Sequence, residues 1–140
     1  TGTGKSTLAT KLCGALNLPQ YDLDEIHWLP DWQEKPTPQF VEEVREIISE
    51  ESKSKTGWIF CGNYRPVQEM LMDHCDYILW LDYPIWTLVL PRLFYRTFRR
   101  VFFKETCCNG NYETFYLAFC SKFSIIYWLL TSYWKIQNKY

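Results

Sequence analysis

No charge of either sign dominates this sequence. Fifteen lysines and arginines stand against 16 aspartates and glutamates, for a net charge of -1 and an isoelectric point near 6.1. That balance removes any global pull toward nucleic acid and leaves only local basic clusters to look for. None of the six cysteines, Cys13, Cys61, Cys75, Cys107, Cys108 and Cys120, falls in a CxxC pair or a finger-like Cys/His spacing. The sequence also lacks internal repeats, low-complexity tracts, a clear domain linker and a secretory signal pattern. The expectation is therefore one cytoplasmic domain with reduced thiols, and 140 residues with 47% hydrophobic content suit a single core.

Aromatic residues are plentiful, at 19% with seven tryptophans, and they raise the question of a membrane. The stretch from Phe115 to Trp134 is about long enough to span a bilayer, but Lys122 and its several hydroxyl and tyrosine side chains weaken it. "YILWLDYPIWTLVLP" is broken by Asp82 and Pro84, as a strand followed by a turn would be. The pattern favours a soluble domain over a spanning one.

Glycine is sparse, yet Gly2 and Gly4 open the chain in "TGTGKSTLAT". Gly4, Lys5 and Ser6 match the second half of a phosphate-binding loop, G-x-x-x-x-G-K-[ST], whose first glycine would lie just before Thr1. Leu8, Leu12 and Leu16 repeat every four residues, so a helix is expected directly behind the loop. In such a loop the backbone N–H groups and the positive helix pole hold phosphate oxygens. Lys5 would reach the terminal phosphates and Ser6 could ligate Mg2+, which calls for ATP or a similar nucleotide.

Beyond the loop, the pattern reads as a strand at "LPQYDLD", a proline-rich loop at "HWLPDWQEKPTP", and a helix from near Pro38 that buries Phe40, Val44, Ile47 and Ile48. A polar connector, a strand at "WIFCG", a short helix at "RPVQEMLM" and a strand at "DYILWLD" follow. Strands alternating with helices predict a parallel sheet. From Tyr83 the pattern turns helical to about Phe103, breaks at "KETCCNGNYE", and resumes in a final helix through Trp134.

Asp22 and Asp24, two apart where a strand runs into a loop, can face one side. They are the candidate metal partner and the base for an attacking hydroxyl, set against the plainer reading of a solvated strand end. His27 and Trp28 read as an aromatic pocket wall. Arg92, Arg96 and Arg100 recur every four residues with Arg99 beside them, giving a cationic stripe opposite Leu90, Phe94 and Val101. Such a stripe suits a closing lid, with Arg96 and Arg100 on the phosphoryl group; a solvated face or a helix lying on anionic lipid are its rivals.

"GTGKSTLATKL", "LDEIHWLPDW", "GNYR", "WLDYP", the arginine run and "NGNYETF" occur here in one order. In that order the chain resembles, over nearly its whole length, the topology-modulation-protein-like family, a branch of adenylate-kinase-like P-loop proteins. The resemblance implies an α/β P-loop NTPase fold: a parallel sheet in 2-3-1-4-5 order flanked by helices, ATP in the loop, and an arginine-bearing helical lid at about 85–114. It implies that Gly4, Lys5, Ser6 and Thr7 form the phosphate site, that Asp22 and Asp24 face the acceptor, and that Gly62, Asn63, Tyr64 and Arg65 line the acceptor pocket. The residues themselves add Gly2 and Thr3 to the expected nucleotide loop, Mg2+ at Ser6, Asp22 and Asp24, and Trp28 and Arg92 to the expected acceptor pocket, with Lys5, Asp22, Asp24, Arg96 and Arg100 as the expected catalytic groups.

The departures are specific. Cys61 stands where the family usually reads "DGNY", removing an acid that could support the metal. Tyr112 stands where the family often has a lid arginine, and Phe123 where it has an aspartate. The strand feeding the loop and the last strand have no counterpart in the sequence, so a copy truncated at both ends is expected, poorly stable alone because the first strand would be central. The reading is a Mg-ATP-dependent phosphotransferase acting on a small molecule or nucleotide. A degenerate, non-catalytic nucleotide-binding module and a peripheral membrane protein are its rivals; no nucleic-acid partner is expected.

Overall fold

Gly4 sits at φ 87, ψ 20, a left-handed backbone that residues with a Cβ avoid, and helix α1 (Lys5–Leu16) starts at the next residue. The computed structural model describes residues 2–54, 56–116, 124, 125, 127, 129 and 131. These form a mixed α/β chain, rich in helix, with one small parallel sheet. The chain divides into two compact units: Gly4–Leu81, and Gly2 and Thr3 with the described residues from Asp82 onward.

In the first unit α1 ends at Asn17, itself left-handed, and a short link leads to strand β1 (Gln20–Asp22). One helical turn, α2 (Leu23–His27), follows because the Asp22 carboxylate accepts the Asp24 N–H and caps it. Strands β2 (Trp28–Leu29) and β3 (Gln33–Glu34) close a small antiparallel hairpin over a Pro30–Trp32 turn in which Asp31 and Trp32 are both left-handed. The 18-residue helix α3 (Thr37–Ser54) then leads to strand β4 (Ile59–Cys61) and helix α4 (Arg65–His74). Strands β1 and β4 pair in parallel, Gln20 opposite Ile59, Tyr21 opposite Phe60 and Asp22 opposite Cys61. The core lies on one face of this pair: Leu23, Phe40, Val44, Ile48 and Val67 are buried together, with Phe60, Tyr64 and Met70 packed against them. Phe40, Val44 and Ile48 recur every fourth residue, so one stripe of α3 supplies most of it.

The second unit has its own core of Ile85, Val89, Leu90, Leu93 and Leu129. A single π turn (Ile85–Val89) enters helix α5 (Leu90–Phe103), which ends where Lys104 turns left-handed. Strands β5 (Thr106–Cys107) and β6 (Asn111–Tyr112) then form a hairpin whose turn contains Asn109 and Gly110, both at positive φ. Asn-Gly suits such a turn because both residues tolerate it.

Several expectations are corrected here. Residues 76–82 form no strand: Tyr77, Ile78, Leu79 and Trp80 are exposed, because a strand persists only where a neighbour takes up its N–H and C=O groups, and β4 pairs with β1 alone. The expected helix behind the loop is α1, in which Ala9 is buried, Leu8 and Leu12 are half-buried and Leu16 is 60% exposed. On α5 the buried face is Leu90, Leu93 and Thr97, and Phe94, Phe98 and Phe102 point outward with Tyr95 and Phe103. The expected proline-rich loop and the polar break each contain a hairpin. Of the expected sheet, two adjacent parallel strands are present among the described residues. Most of 115–134, including Phe123 and the final helix, lies outside the described residues; no helix among them is long and apolar enough to cross a membrane.

Phe40 is 1% exposed at the centre of the first core, so Phe40→Ala should lower unfolding stability by about 3–5 kcal/mol. Leu16→Ala, at an exposed site, should stay within about 0.5 kcal/mol of the parent. Denaturant titration of both variants measures the contrast, and equal losses would place the core elsewhere.

Candidate functional site

The pairing of β1 with β4 ends both strands at the same level, Asp22 opposite Cys61. Whatever follows each strand therefore emerges on one edge: Leu23 and Asp24 from β1, Gly62, Asn63 and Tyr64 from β4. Gly62, at φ 143, makes the second exit possible, since a Cβ there would stand 2.7 Å from the Cβ of Leu23.

The first turn of α1 meets that edge. The Ser6 hydroxyl donates to Asp22 Oδ2 at 3.1 Å, and Ser6 Oγ lies 3.6 Å from Cys61 Sγ. Thr10 shares its hydroxyl between the Ser6 carbonyl at 2.9 Å and Gln20 Oε1 at 3.0 Å, tying the helix to the start of β1. Across the edge the Tyr64 hydroxyl donates to Asp24 Oδ1 at 2.6 Å. Lys5, Asp22 and Asp24 all lie close enough for their charges to act on the Cys61 thiol. Lys5, Ser6, Asp22 and Asp24, singled out in the sequence, thus gather around Cys61, and Tyr64 joins them through Asp24.

The helix end itself is open. Gly4 offers no side chain to cap α1, no acidic residue stands in the first turn, and the first backbone bond of the helix runs from Leu8 N to Gly4 O at 2.9 Å. The N–H groups of Lys5, Ser6 and Thr7 consequently have no intrahelical acceptor and add to the positive pole. An anion is the natural complement of that arrangement. Ser6 Oγ and the Asp22 carboxylate side by side could serve one small cation, though no three His, Cys, Asp or Glu side chains converge into a metal cluster among the described residues.

The remaining sequence candidates are distributed more widely. Trp28 packs edge-on to His27 and Trp32, with ring centroids 5.2 and 5.5 Å away, and His27 also meets Phe40 and Tyr64. Asn63 and Arg65 are exposed at the start of α4. Gly2 and Thr3 belong to the other unit, where Gly2 is left-handed and a Cβ on it would meet the Val89 carbonyl at 3.0 Å. Arg92, Arg96 and Arg100 lie in that unit too: Arg92 is exposed, Arg96 half-buried, and Arg100 donates to Glu113 Oε1 at 2.8 Å. Thr10, Gln20 and the Tyr64–Asp24 bond escaped the sequence reading. Thr10 alone carried a signal, standing one helical turn beyond Ser6.

No family model, curated protein or solved structure matches the chain.

Burial pushes the Cys61 thiol above its ordinary value; Asp22 and Asp24 add to the rise, while the Ser6 hydrogen bond and Lys5 oppose it. A folded-state value above the unfolded one gives stability that is complete below the unfolded thiol value, about 8.5, and is lost as pH rises through the folded value. Unfolding midpoints should therefore drop from pH 8 to pH 10 more steeply in the parent than in Cys61→Ser. Parallel pH profiles for the two proteins would show that Cys61 is not held neutral.

Proposed function

We propose that this chain binds a Mg-nucleotide at the start of α1 and belongs to a phosphotransferase that passes the terminal phosphate to a small acceptor, itself a candidate nucleotide. The observation that carries the reading is the Ser6–Asp22 hydrogen bond, which joins residues sixteen apart at an uncapped helix N-terminus. Ser6 and Asp22 fit a Mg2+ whose other ligands are water and phosphate oxygens, and the free N–H groups of the first turn fit phosphate. Bound Mg-ATP would supply the transferable phosphoryl group.

The chain's own groups divide the rest of the work. Lys5 offsets phosphate charge at the helix pole, where backbone dipoles alone fall short. Asp22 is oriented twice, by Ser6 and by the Asp24 N–H it caps. Asp24 is the proton acceptor for the incoming hydroxyl, held by Tyr64 through one oxygen. The arginines of α5 are proposed as the groups that would neutralise phosphoryl charge, and of these Arg100 is engaged with Glu113. A second reading, a nucleotide-binding module without turnover, is favoured by Cys61: a neutral thiol at 3.6 Å from Ser6 contributes no charge to a metal.

Lys5→Ala should weaken ATP binding by roughly 10- to 150-fold, the worth of a charge-assisted hydrogen bond of about 1.5–3 kcal/mol. Calorimetry on parent and variant checks it, and equal affinities would sink the assigned site. Asp24→Asn should instead leave ATP affinity within about threefold and lower phosphoryl transfer by roughly 10²- to 10⁴-fold. Binding by the parent without transfer to any acceptor in a panel of nucleotides and small alcohols would decide for the module.

A further inference from the structure

The near-zero net charge of the chain hides an uneven distribution. Residues 82–140 carry eight lysines and arginines against three acids, whereas residues 4–81 carry seven against thirteen. Between Asp82 and Glu105 there is no acidic residue, and Arg92, Arg96, Arg99, Arg100 and Lys104 all fall in that interval, along α5 or at its end. The same helix turns rings outward. At 3.6 residues per turn Pro91, Phe94, Tyr95, Phe98 and Phe102 share an arc of about 100°, opposite the buried Leu93 and Thr97. All five are exposed, Tyr95 by 66%, Phe98 by 50% and Phe102 by 60%. The exposed Arg92 and Arg99 border this arc on the Tyr95 side, while Arg96 and Arg100 lie farther round and are half-buried.

We propose that the outward side of α5 is a docking surface for an anionic lipid bilayer, with the helix lying in the plane of the headgroups. Phe94, Phe98 and Phe102 form a ridge about 12 Å long that enters the boundary between headgroups and acyl chains. Tyr95 beside it keeps its hydroxyl at the level of water, the usual place of an amphipathic ring at an interface. Arg92 and Lys104 meet the lipid anions; Arg99, paired with Glu105, adds less. The helix lies on the membrane and does not cross it, since no helix among the described residues is long and apolar enough to span one.

Charge and ring packing together favour this occupant over others. Rings exposed in a row are uncommon on the surface of a monomer and call for a partner. A second copy of the chain would bring its own α5 against this one and set cations against cations, because a two-fold contact pairs a surface with itself. Single-stranded nucleic acid stacks its bases on ring faces that stand apart. Here the Phe98 and Phe102 rings pack on each other, their centroids 4.2 Å apart, and the exposed arginines follow the border of the ridge without alternating with it. An apolar ridge with cations along one border suits a bilayer surface, which offers hydrocarbon below and negative charge above.

Vesicle co-sedimentation without nucleotide is the test. Each cation near an anionic surface strengthens binding roughly fivefold, so Arg92 and Lys104 should favour phosphatidylcholine vesicles containing about one-third phosphatidylserine over phosphatidylcholine alone by about 25-fold. Raising the salt from about 0.1 to about 1 M shortens the screening length from about 10 to about 3 Å and should remove most of that preference. Replacing two rings of the ridge, Phe98→Ser with Phe102→Ser, should weaken binding to the anionic vesicles by at least about tenfold. Absence of binding to anionic vesicles, equal binding to both compositions, or undiminished binding by the double variant would overturn the proposal. So would a concentration-dependent dimer, or a complex with a single-stranded oligonucleotide, formed by protein that leaves the vesicles unbound. The parent's preference for anionic vesicles and its loss in salt decide the matter even if the double variant misfolds.

Discussion

Three facing residue pairs between β1 and β4 hold the first unit in its arrangement. Because the strands are parallel and end together, the chain must leave both at one edge, and the helices that return must pack on the faces. That single register sets Asp22 beside Cys61, aims Leu23 into the core, and leaves Asp24 and Tyr64 close enough to bond. A slip of one residue would exchange core and solvent faces along each strand, burying Asp22 where Leu23 or Tyr21 now packs. The site and the core are thus two faces of one constraint.

How much of this could be read beforehand depended on how local the cause was. Helix α3 was legible because Phe40, Val44 and Ile48 keep one stripe, and the start of α1 because glycine, lysine and serine in that spacing suit few other structures. The α5 stripe was misread by about a third of a turn. Leu93 and Thr97 are ordinary members of a mixed run, and the aromatic residues beside them looked the better core formers although they face outward. Residues 76–82 carry every strand preference, yet propensity cannot supply the partner that a ladder needs. The Tyr64–Asp24 bond was invisible because it joins positions forty apart whose side-chain directions only the β1–β4 register fixes.

The two units divide their polar interactions as well as their cores. The first relies on hydroxyl-to-carboxylate bonds, Ser6 to Asp22, Tyr64 to Asp24 and Tyr21 to Glu51 at 2.6 Å; the last pushes the Tyr21 phenol up to about 12. Among its ion pairs, Arg45 with Glu42 is exposed and contributes little. In the second, Arg100 and Glu113 are largely shielded, so removing either would leave a charge stranded in a poorly hydrated place. Directional bonds between neutral donors and carboxylates leave the first site's net charge adjustable by a ligand, whereas the Arg100–Glu113 pair is neutralised within itself.

Thr10 gives the opening helix a further property. By joining the Ser6 carbonyl to Gln20 while Ser6 holds Asp22, it fastens two successive points of α1 to the same strand. A helix held at one point can still pivot; held at two, it keeps its axis and the direction of its first N–H groups. The ordering cost of that pole is then met during folding and not when a ligand arrives, so an anion binding there would encounter a preorganised cradle and lose little affinity to rearrangement.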